Sequence, residues 1–194
     1  MHTLRRGQSL VELIVAMFVI IVGLVAAGSV IFSNARAQER SADRVFAANL
    51  AREGAELVKA VRDSNWMAGG ATAFDAGLSN GTDYTAVPRM DGGVFIDFDF
   101  APNLITDATA TLKRSTNAGS VGLYVQGTSA SGSNTAFSRL VTLSPICSDY
   151  TTRSSGSSCG VLTKIGIRVN STVRWVRRDG AHTSVIEEDL YDWR

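Results

Sequence analysis

The chain has 194 residues, a formal net charge of +1 at pH 7 and 45% hydrophobic residues. This length suffices for one domain with an appendage, and the near-zero charge argues against overall electrostatic attraction to nucleic acid or to an acidic partner. Residues 1–66 contain no proline and few glycines, which is typical of helix, whereas residues 67–194 carry most of the Gly, Ser and Thr and are typical of short strands joined by turns.

The first predicted element is an apolar segment that follows two arginines. Residues 13–32 contain no charged side chain, and twenty such residues suffice to cross the hydrocarbon core of a bilayer. Glu12 stands at the start of this run. A carboxylate costs about 2.5–3.5 kcal/mol at the centre of a membrane helix and less near its end, so its presence needs an explanation.

This segment has two ordinary interpretations. In the first it is a signal anchor, because Arg5 and Arg6 ahead of it favour a cytoplasmic N-terminus. In the second it is a cleaved secretory signal, with a cut before Gly28 and after the small residues 25–27. The apolar run is longer than the usual ~7–15 residues of such a signal, and a glutamate beside its basic flank is out of character.

A third interpretation accounts for the glutamate. The stretch RRGQSLVE, from Arg5 to Glu12, with the apolar run behind it, resembles the class III signal of type IV pilins and pseudopilins. In that family a prepilin peptidase cuts after the glycine that ends a short basic leader, and the new N-terminus is usually methylated. The resemblance implies a cut between Gly7 and Gln8, N-methylation of Gln8 and an assembly role for Glu12. The family most often has phenylalanine where this chain has Gln8.

The resemblance implies a structural subunit of a filament. The expected partners are copies of the chain or related pilin subunits joined through the N-terminal helix, the prepilin peptidase, and the inner membrane before assembly. Glu12 is expected to pair with the N-terminal amine of a neighbouring subunit. In a medium of low effective dielectric such an attraction is worth several kcal/mol, and removing one partner of a buried pair costs about 3–5 kcal/mol.

The resemblance also implies a topology. The N-terminus is cytoplasmic, the head is extracytoplasmic, and assembly yields an extracellular filament. A major pilin, a minor pilin and a secretion pseudopilin remain equally open. The alternative is a single-pass, membrane-anchored extracytoplasmic binding module that does not polymerise.

A long helix is predicted from about Ser9 to about Asn65, with Gly69 and Gly70 ending it. Its membrane part covers about 10–33 and its amphipathic part about 34–65. The expected organisation is therefore a leader at 1–7, the helix at 8–66 and a head at 67–194. Apolar residues at helical spacing form one stripe that packs on the head. The stripe comprises Phe46, Leu50, Leu57, Val58 and Val61, with Gly54 filling the remaining step.

The head is predicted to be an antiparallel sheet, which gives a pilin-like α+β fold. Asp179-Gly180 is a hairpin signal between the last two strands. Leu190, Tyr191 and Trp193 are expected to hold the chain end against the core. The predicted strands cover residues 84–87, 94–100, 120–126, 137–143, 162–169, 172–178 and 183–190.

Two groups of charged residues in the head have alternative interpretations. Asp97 and Asp99 share one side of a strand, which suggests either the start of a Ca²⁺ site or, as favoured here, a solvated face. A basic run could contact DNA phosphates, but acidic residues follow across the predicted hairpin, so cross-strand ion pairing is favoured. The basic residues are Lys164, Arg168, Arg174, Arg177 and Arg178; the acidic ones are Glu187, Glu188, Asp189 and Asp192.

Little in the sequence points to catalysis. Once the leader is removed, His182 is the only histidine, and no zinc spacing or phosphate-binding glycine motif occurs. No catalytic residue, metal or cofactor is predicted, and the chain is not expected to be an enzyme. Cys147 and Cys159 form a disulfide if the head is exported and stay free in a reducing compartment.

Overall fold

The structure is a computed structural model. It describes residues 10–69, 72–78, 85–89, 97–100, 104–117, 121–128 and 130–192. The chain divides into two compact units, residues 1–43 and residues 44–194. The second unit begins inside the long helix, so it contains the packed half of that helix as well as the predicted head.

The α+β class predicted from the sequence is confirmed by one long, apolar N-terminal helix and a C-terminal antiparallel sheet. A 3₁₀ turn covers Ala108–Ala110. The elements in chain order are α1 (Leu10–Ala68), β1 (Thr85–Arg89), β2 (Asp97–Asp99), β3 (Thr111–Ser115), β4 (Tyr124–Val125), β5 (Gly132–Cys147), β6 (Lys164–Arg177) and β7 (Gly180–Tyr191).

The C-terminal end of α1 lies at the predicted glycine signal. Gly69 has a φ of +66°, and its N–H donates to the Trp66 carbonyl at 3.2 Å. A left-handed residue after a helix is usually glycine, because a side chain there meets the backbone. The helix therefore ends at Ala68, three residues beyond the predicted position, and Gly70 lies outside the described residues.

Strand β5 is paired along both of its edges. Along one edge it pairs with β6, and along the other it pairs with β3 near its N-terminus and with β1 further on. Strands β2 and β4 extend the sheet beyond β1 and β3, and β7 lies beyond β6. The hairpin predicted from Asp179-Gly180 is confirmed: Arg177 pairs with Gly180 across a turn formed by Arg178 and Asp179.

Several predicted strand boundaries were wrong. The segments 162–169 and 172–178 are one continuous strand, because Asn170 and Ser171 keep their pairing with both β5 and β7. Strand β3 was not predicted, because its sequence TLKRS is largely polar. Of the described residues in the predicted strand 120–126, only Tyr124 and Val125 form a strand, since Gly122 turns the chain with a φ of +86°. Residues 84, 94–96 and 120 lie outside the described ranges.

The helix meets the sheet through small side chains. The predicted stripe is confirmed at Leu50, Gly54 and Val58, whereas Phe46, Leu57 and Val61 are only partly buried at the margins of the core. The centre of the contact is formed by alanines that the apolar pattern did not single out. These are Ala47, Ala51 and Ala55.

Gly54 marks the closest approach of helix and sheet. A β-carbon at this position would lie 3.2 Å from Arg139 Cδ and closer still to Ser171 Oγ. The absence of a side chain therefore lets α1 lie directly on β5 and β6. Two buried clusters flank this point, one around Val58, Val141 and Val169 and the other around Leu50, Phe137 and Trp175.

Candidate functional site

The apolar half of α1 is exposed along its length. Every large apolar side chain between Leu10 and Phe32 is at least 50% exposed. Among the described residues, α1 is the one helix long and apolar enough to span a membrane. Because burying one such side chain is worth about 1.5–3 kcal/mol, this surface requires lipid or other protein around it.

Glu12 lies at the start of this surface. Its side chain is exposed on α1, and no other charged residue occurs from position 7 to position 35. Gly7 and Gln8, the residues expected to flank the cleavage site, lie outside the described residues. The described site therefore consists of an apolar helical surface with one carboxylate near its N-terminal end.

A buried arginine joins the sheet to α1. Arg139, on β5, is 1% exposed; its Nε donates to Gln126 Oε1 at 2.6 Å and its Nη1 donates to the Leu50 carbonyl at 3.0 Å. Glu53 Oε2 lies 3.4 Å from Nη1. Burial lowers the pKa of Arg139, and the charge of Glu53 opposes this shift. Sequence reasoning missed this group, although position 139 shares the inward face of β5 with Phe137 and Val141.

Strand β7 is also hydrogen-bonded to α1. Arg62, buried in α1, donates from Nη1 to the Tyr191 carbonyl at 3.1 Å. Leu190 is buried, as expected for a chain end held against the core, while the Tyr191 side chain is partly exposed. Trp193 lies outside the described residues.

The cross-strand ion pairing predicted for the basic run is confirmed at Arg168. Its Nε and Nη2 donate to the two carboxylate oxygens of Asp189 at 2.7 and 2.9 Å, and Glu187 lies 3.3 Å from Nη1. The hydrogen bonds from Arg168 lower the pKa of Asp189, and those same bonds raise the pKa of Arg168. Lys164 instead pairs with Asp75, outside the hairpin.

The remaining candidates are separate from one another. Asp99 Oδ2 accepts a hydrogen bond from the Thr128 N–H at 2.8 Å, while the Asp97 side chain lies outside the described residues. Across the described part of the chain, no three His, Cys, Asp or Glu side chains are grouped as metal ligands. His182 lies 3.1 Å from Asp179 Oδ1 and stacks on Trp175.

Cys147 and Cys159 are joined by a disulfide, with their Cα atoms 5.6 Å apart. The bond closes the loop that follows β5. Inside it, the Cys147 N–H donates to the Thr151 carbonyl at 3.0 Å and the Tyr150 N–H donates to the Cys147 carbonyl at 2.8 Å. The loop is therefore held by backbone hydrogen bonds as well as by the covalent link.

Comparison of the chain with family models, with curated proteins and with solved structures gave no match.

Proposed function

We propose that the chain is a structural subunit of a type IV pilus-like filament. It is made as a precursor, cut after Gly7 by a prepilin peptidase, and polymerised through its N-terminal helix. The observation that carries this proposal is the exposed apolar half of α1, with Glu12 as the single charge near its start. The motif RRGQ precedes it at residues 5–8.

The exposed surface supports polymerisation because it needs two environments in turn. Before assembly, lipid covers the large apolar side chains between Leu10 and Phe32. In the filament, the same side chains of neighbouring subunits cover one another. The free energy of burying them is similar in both states, so a specific interaction must favour correct assembly.

Glu12 supplies that specificity in the proposal. An isolated carboxylate at the edge of hydrocarbon is poorly solvated, and a cation of a neighbouring subunit satisfies it. After the cut the new amine belongs to Gln8, four residues before Glu12. A stagger of about 6 Å between parallel helices, at 1.5 Å per residue, brings the amine of one subunit to Glu12 of the next.

The head is consistent with export in this proposal. Its disulfide between Cys147 and Cys159 suits an oxidising compartment outside the cytoplasm. The sheet packs on residues 47–62 of the helix, and Arg139 joins the two by a hydrogen bond to the Leu50 carbonyl.

The test is to express the chain with a prepilin peptidase and determine the N-terminus of the membrane-extracted protein by mass spectrometry. We expect a chain that starts at Gln8, with or without one added methyl group. The matched control is Gly7→Asp, which keeps the basic flank and the span and is expected to leave the leader attached.

The other outcomes identify the alternatives. An unprocessed N-terminus in the wild-type chain contradicts the proposal and supports a membrane-anchored binding module that does not polymerise. A start at Gly28 supports an ordinary secreted domain. In either case Glu12 has no role in assembly.

A further inference from the structure

Five cationic side chains of the head lie at one end of the sheet, where β5 begins. On one side of β5, Arg114 of β3 lies opposite Ser133, the second residue of β5. On the other side, Phe137 lies opposite Trp175, so the end of β6 and its turn into β7 lie at this same end of the sheet. We call this end the basic rim; its cations are Lys113, Arg114, Arg174, Arg177 and Arg178.

The basic rim has an excess of positive charge. Asp179 is the single acid in residues 111–135 and 174–183, so five cations and one acid give the rim a net charge of +4, against +1 for the whole chain. Arg177 and Asp179 have partners within the chain, which leaves this total unchanged. Adding residues 36–46 of α1, with three arginines and two acids, raises the total to +5.

Cross-strand pairing does not neutralise Arg174. It lies opposite Ser138 on one side and Thr183 on the other, and neither residue carries a charge. Arg174 is half-buried, whereas Arg114 and Arg178 are exposed. A guanidinium group presents several N–H donors in a planar fork, which matches the oxygens of a phosphate group. The basic rim is therefore complementary to a surface of phosphates.

Large apolar side chains are exposed beside these arginines. Val121 and Leu123, which follow β3, are 72% and 54% exposed, and the Ser115 N–H donates to the Leu123 carbonyl at 2.8 Å. Val176, near the end of β6, is 50% exposed. A nucleic acid presents phosphates with sugars and stacked bases, whereas an anionic bilayer presents phosphates directly above hydrocarbon. The combination of arginines with aliphatic side chains therefore favours a lipid surface.

The basic rim also lies beside the part of α1 that leads to the apolar run. Phe46 packs edge-on against Tyr124 and Phe137, with ring centroids 5.1 and 4.9 Å away. Tyr124 lies opposite Arg114 in the sheet. Phe46 follows Phe32, the last residue of the uncharged run, by only fourteen positions. The rim is therefore tethered by a short stretch of chain to any bilayer that the run crosses.

We infer that the basic rim binds the phosphate groups of anionic lipids at the surface of the membrane that the apolar run crosses. The arginines bind phosphate oxygens, and the exposed aliphatic side chains enter the layer between the headgroups. The inference goes beyond the proposed function and does not depend on it. The contact is open to the precursor, to the cut subunit and to an anchored module that never polymerises.

The test measures hydrogen–deuterium exchange of the full chain in lipid nanodiscs. One set of discs contains phosphatidylcholine alone, and in the other about a third of it is replaced by phosphatidylglycerol. We expect the amides of residues 121–123 and 177–180 to exchange at least about threefold more slowly in the anionic discs. The difference should shrink as NaCl is raised from about 0.05 M to about 0.5 M, because salt screens the attraction.

A matched pair of double variants separates the rim from the total charge. Arg114→Gln with Arg178→Gln removes two charges from the rim and is expected to remove most of the difference between the discs. Arg52→Gln with Arg153→Gln removes the same charge elsewhere and should preserve the difference. The Arg153 N–H donates to the Pro145 carbonyl, near the opposite end of β5. Exchange of β5 in neutral discs, expected to match the wild type, checks that both variants are folded.

Three outcomes overturn the inference. Equal exchange of the rim amides in both kinds of disc contradicts lipid binding and leaves the proposed function intact, because the position of the cut tests that function separately. Equal loss of protection in both double variants means that total charge, and not the rim, is responsible. Slower exchange of the rim amides when duplex DNA is added to neutral discs, with no effect of anionic lipid, identifies a nucleic acid as the partner instead.

Discussion

Arg139 on β5 reaches through the core and donates a hydrogen bond to the backbone carbonyl of Leu50, in the middle of α1, at 3.0 Å. The side chain also bonds Gln126, whose amide donates back to the Arg139 carbonyl at 2.9 Å. A buried cation is costly unless its donors are satisfied, so this group requires helix, strand and loop to be in place together.

Arg139→Ala is therefore expected to destabilise the head by about 2–4 kcal/mol. The substitution removes charge-assisted hydrogen bonds, leaves the side-chain oxygen of Gln126 without this donor, and creates a cavity. The measurement is urea unfolding of the detergent-extracted chain, followed by tryptophan fluorescence. Arg52→Ala, an exposed arginine on the same helix, is the control, and we expect a change within about 0.5 kcal/mol for it. Equal effects of both substitutions would contradict a special role for Arg139.

Gly54→Ala tests the close approach of helix and sheet. Alanine favours a helix interior by about 1 kcal/mol over glycine, but its β-carbon would collide with Ser171 Oγ, which is buried and has no hydrogen-bond partner among the described residues. We expect a net loss of about 1–3 kcal/mol from overpacking.

The matched variant for Gly54→Ala is Ser171→Ala, which removes the colliding oxygen. Alone it is expected to be neutral or to stabilise the head by up to about 1 kcal/mol, because an unsatisfied hydroxyl is lost. In the double variant most of the cost of Gly54→Ala should disappear, so a double-mutant cycle should give a favourable coupling energy. If the free-energy changes of the two substitutions are strictly additive, contact with Ser171 Oγ is not the cause of the destabilisation by Gly54→Ala.

The sequence predicted those features that repeat along the chain or depend on one residue type. The apolar run, the stripe at Leu50 and Val58, the helix end at Gly69 and the last hairpin all follow from periodicity or from glycine chemistry. The predicted pairing of Arg168 with acids across that hairpin also followed from register.

Features set by the whole fold were missed. Arg139 was not recognised as buried, because a charged residue is normally assigned to the surface, and only the packing of α1 over β5 satisfies it. Ala47 and Ala51 were overlooked because small residues contribute little to an apolar pattern, although they determine how closely the helix approaches. Strand β3 was not predicted for a similar reason: its pairing with β5 stabilises a strand whose sequence is largely polar.

Removal of the disulfide tests its contribution to the head. A link that closes a loop of this length, with Cys147 and Cys159 twelve positions apart, is expected to contribute about 2–4 kcal/mol, mainly by restricting the unfolded chain. Cys147→Ser with Cys159→Ser should therefore lower the midpoint of thermal unfolding by about 5–12 °C. Reduction of the wild-type chain should reproduce the shift and leave the double variant unaffected; insensitivity of the wild type to reductant would contradict it.

Acid should weaken the pair between Arg168 and Asp189. The pKa of Asp189 is lowered from 3.8 by hydrogen bonds from Arg168, so the folded state favours the carboxylate. The contribution of the pair is present above the unfolded pKa and is lost as the pH falls through the lowered folded pKa.

Asp189→Asn is expected to lower the midpoint of thermal unfolding by about 1–2 °C at pH 7, a small effect because the pair is exposed. The difference between variant and wild type should shrink as the pH falls from 7 towards 2. Glu56→Gln, an exposed acid on α1, is the control. A difference that persists unchanged at pH 2 would mean that the charge of Asp189 is not what stabilises the fold.

Glu12→Gln tests the proposed assembly role with almost no change in size. Processing depends on the residues around Gly7, so the variant should still be cut before Gln8 and should still reside in the membrane. Filament yield should fall by at least about tenfold, because an amide cannot form the ion pair with a neighbouring amine, and each factor of ten is about 1.4 kcal/mol. Glu56→Gln should leave the yield unchanged. A processed Glu12→Gln chain that assembles as well as the wild type would show that the carboxylate is not needed for assembly and would leave the cost of keeping it beside the span unexplained.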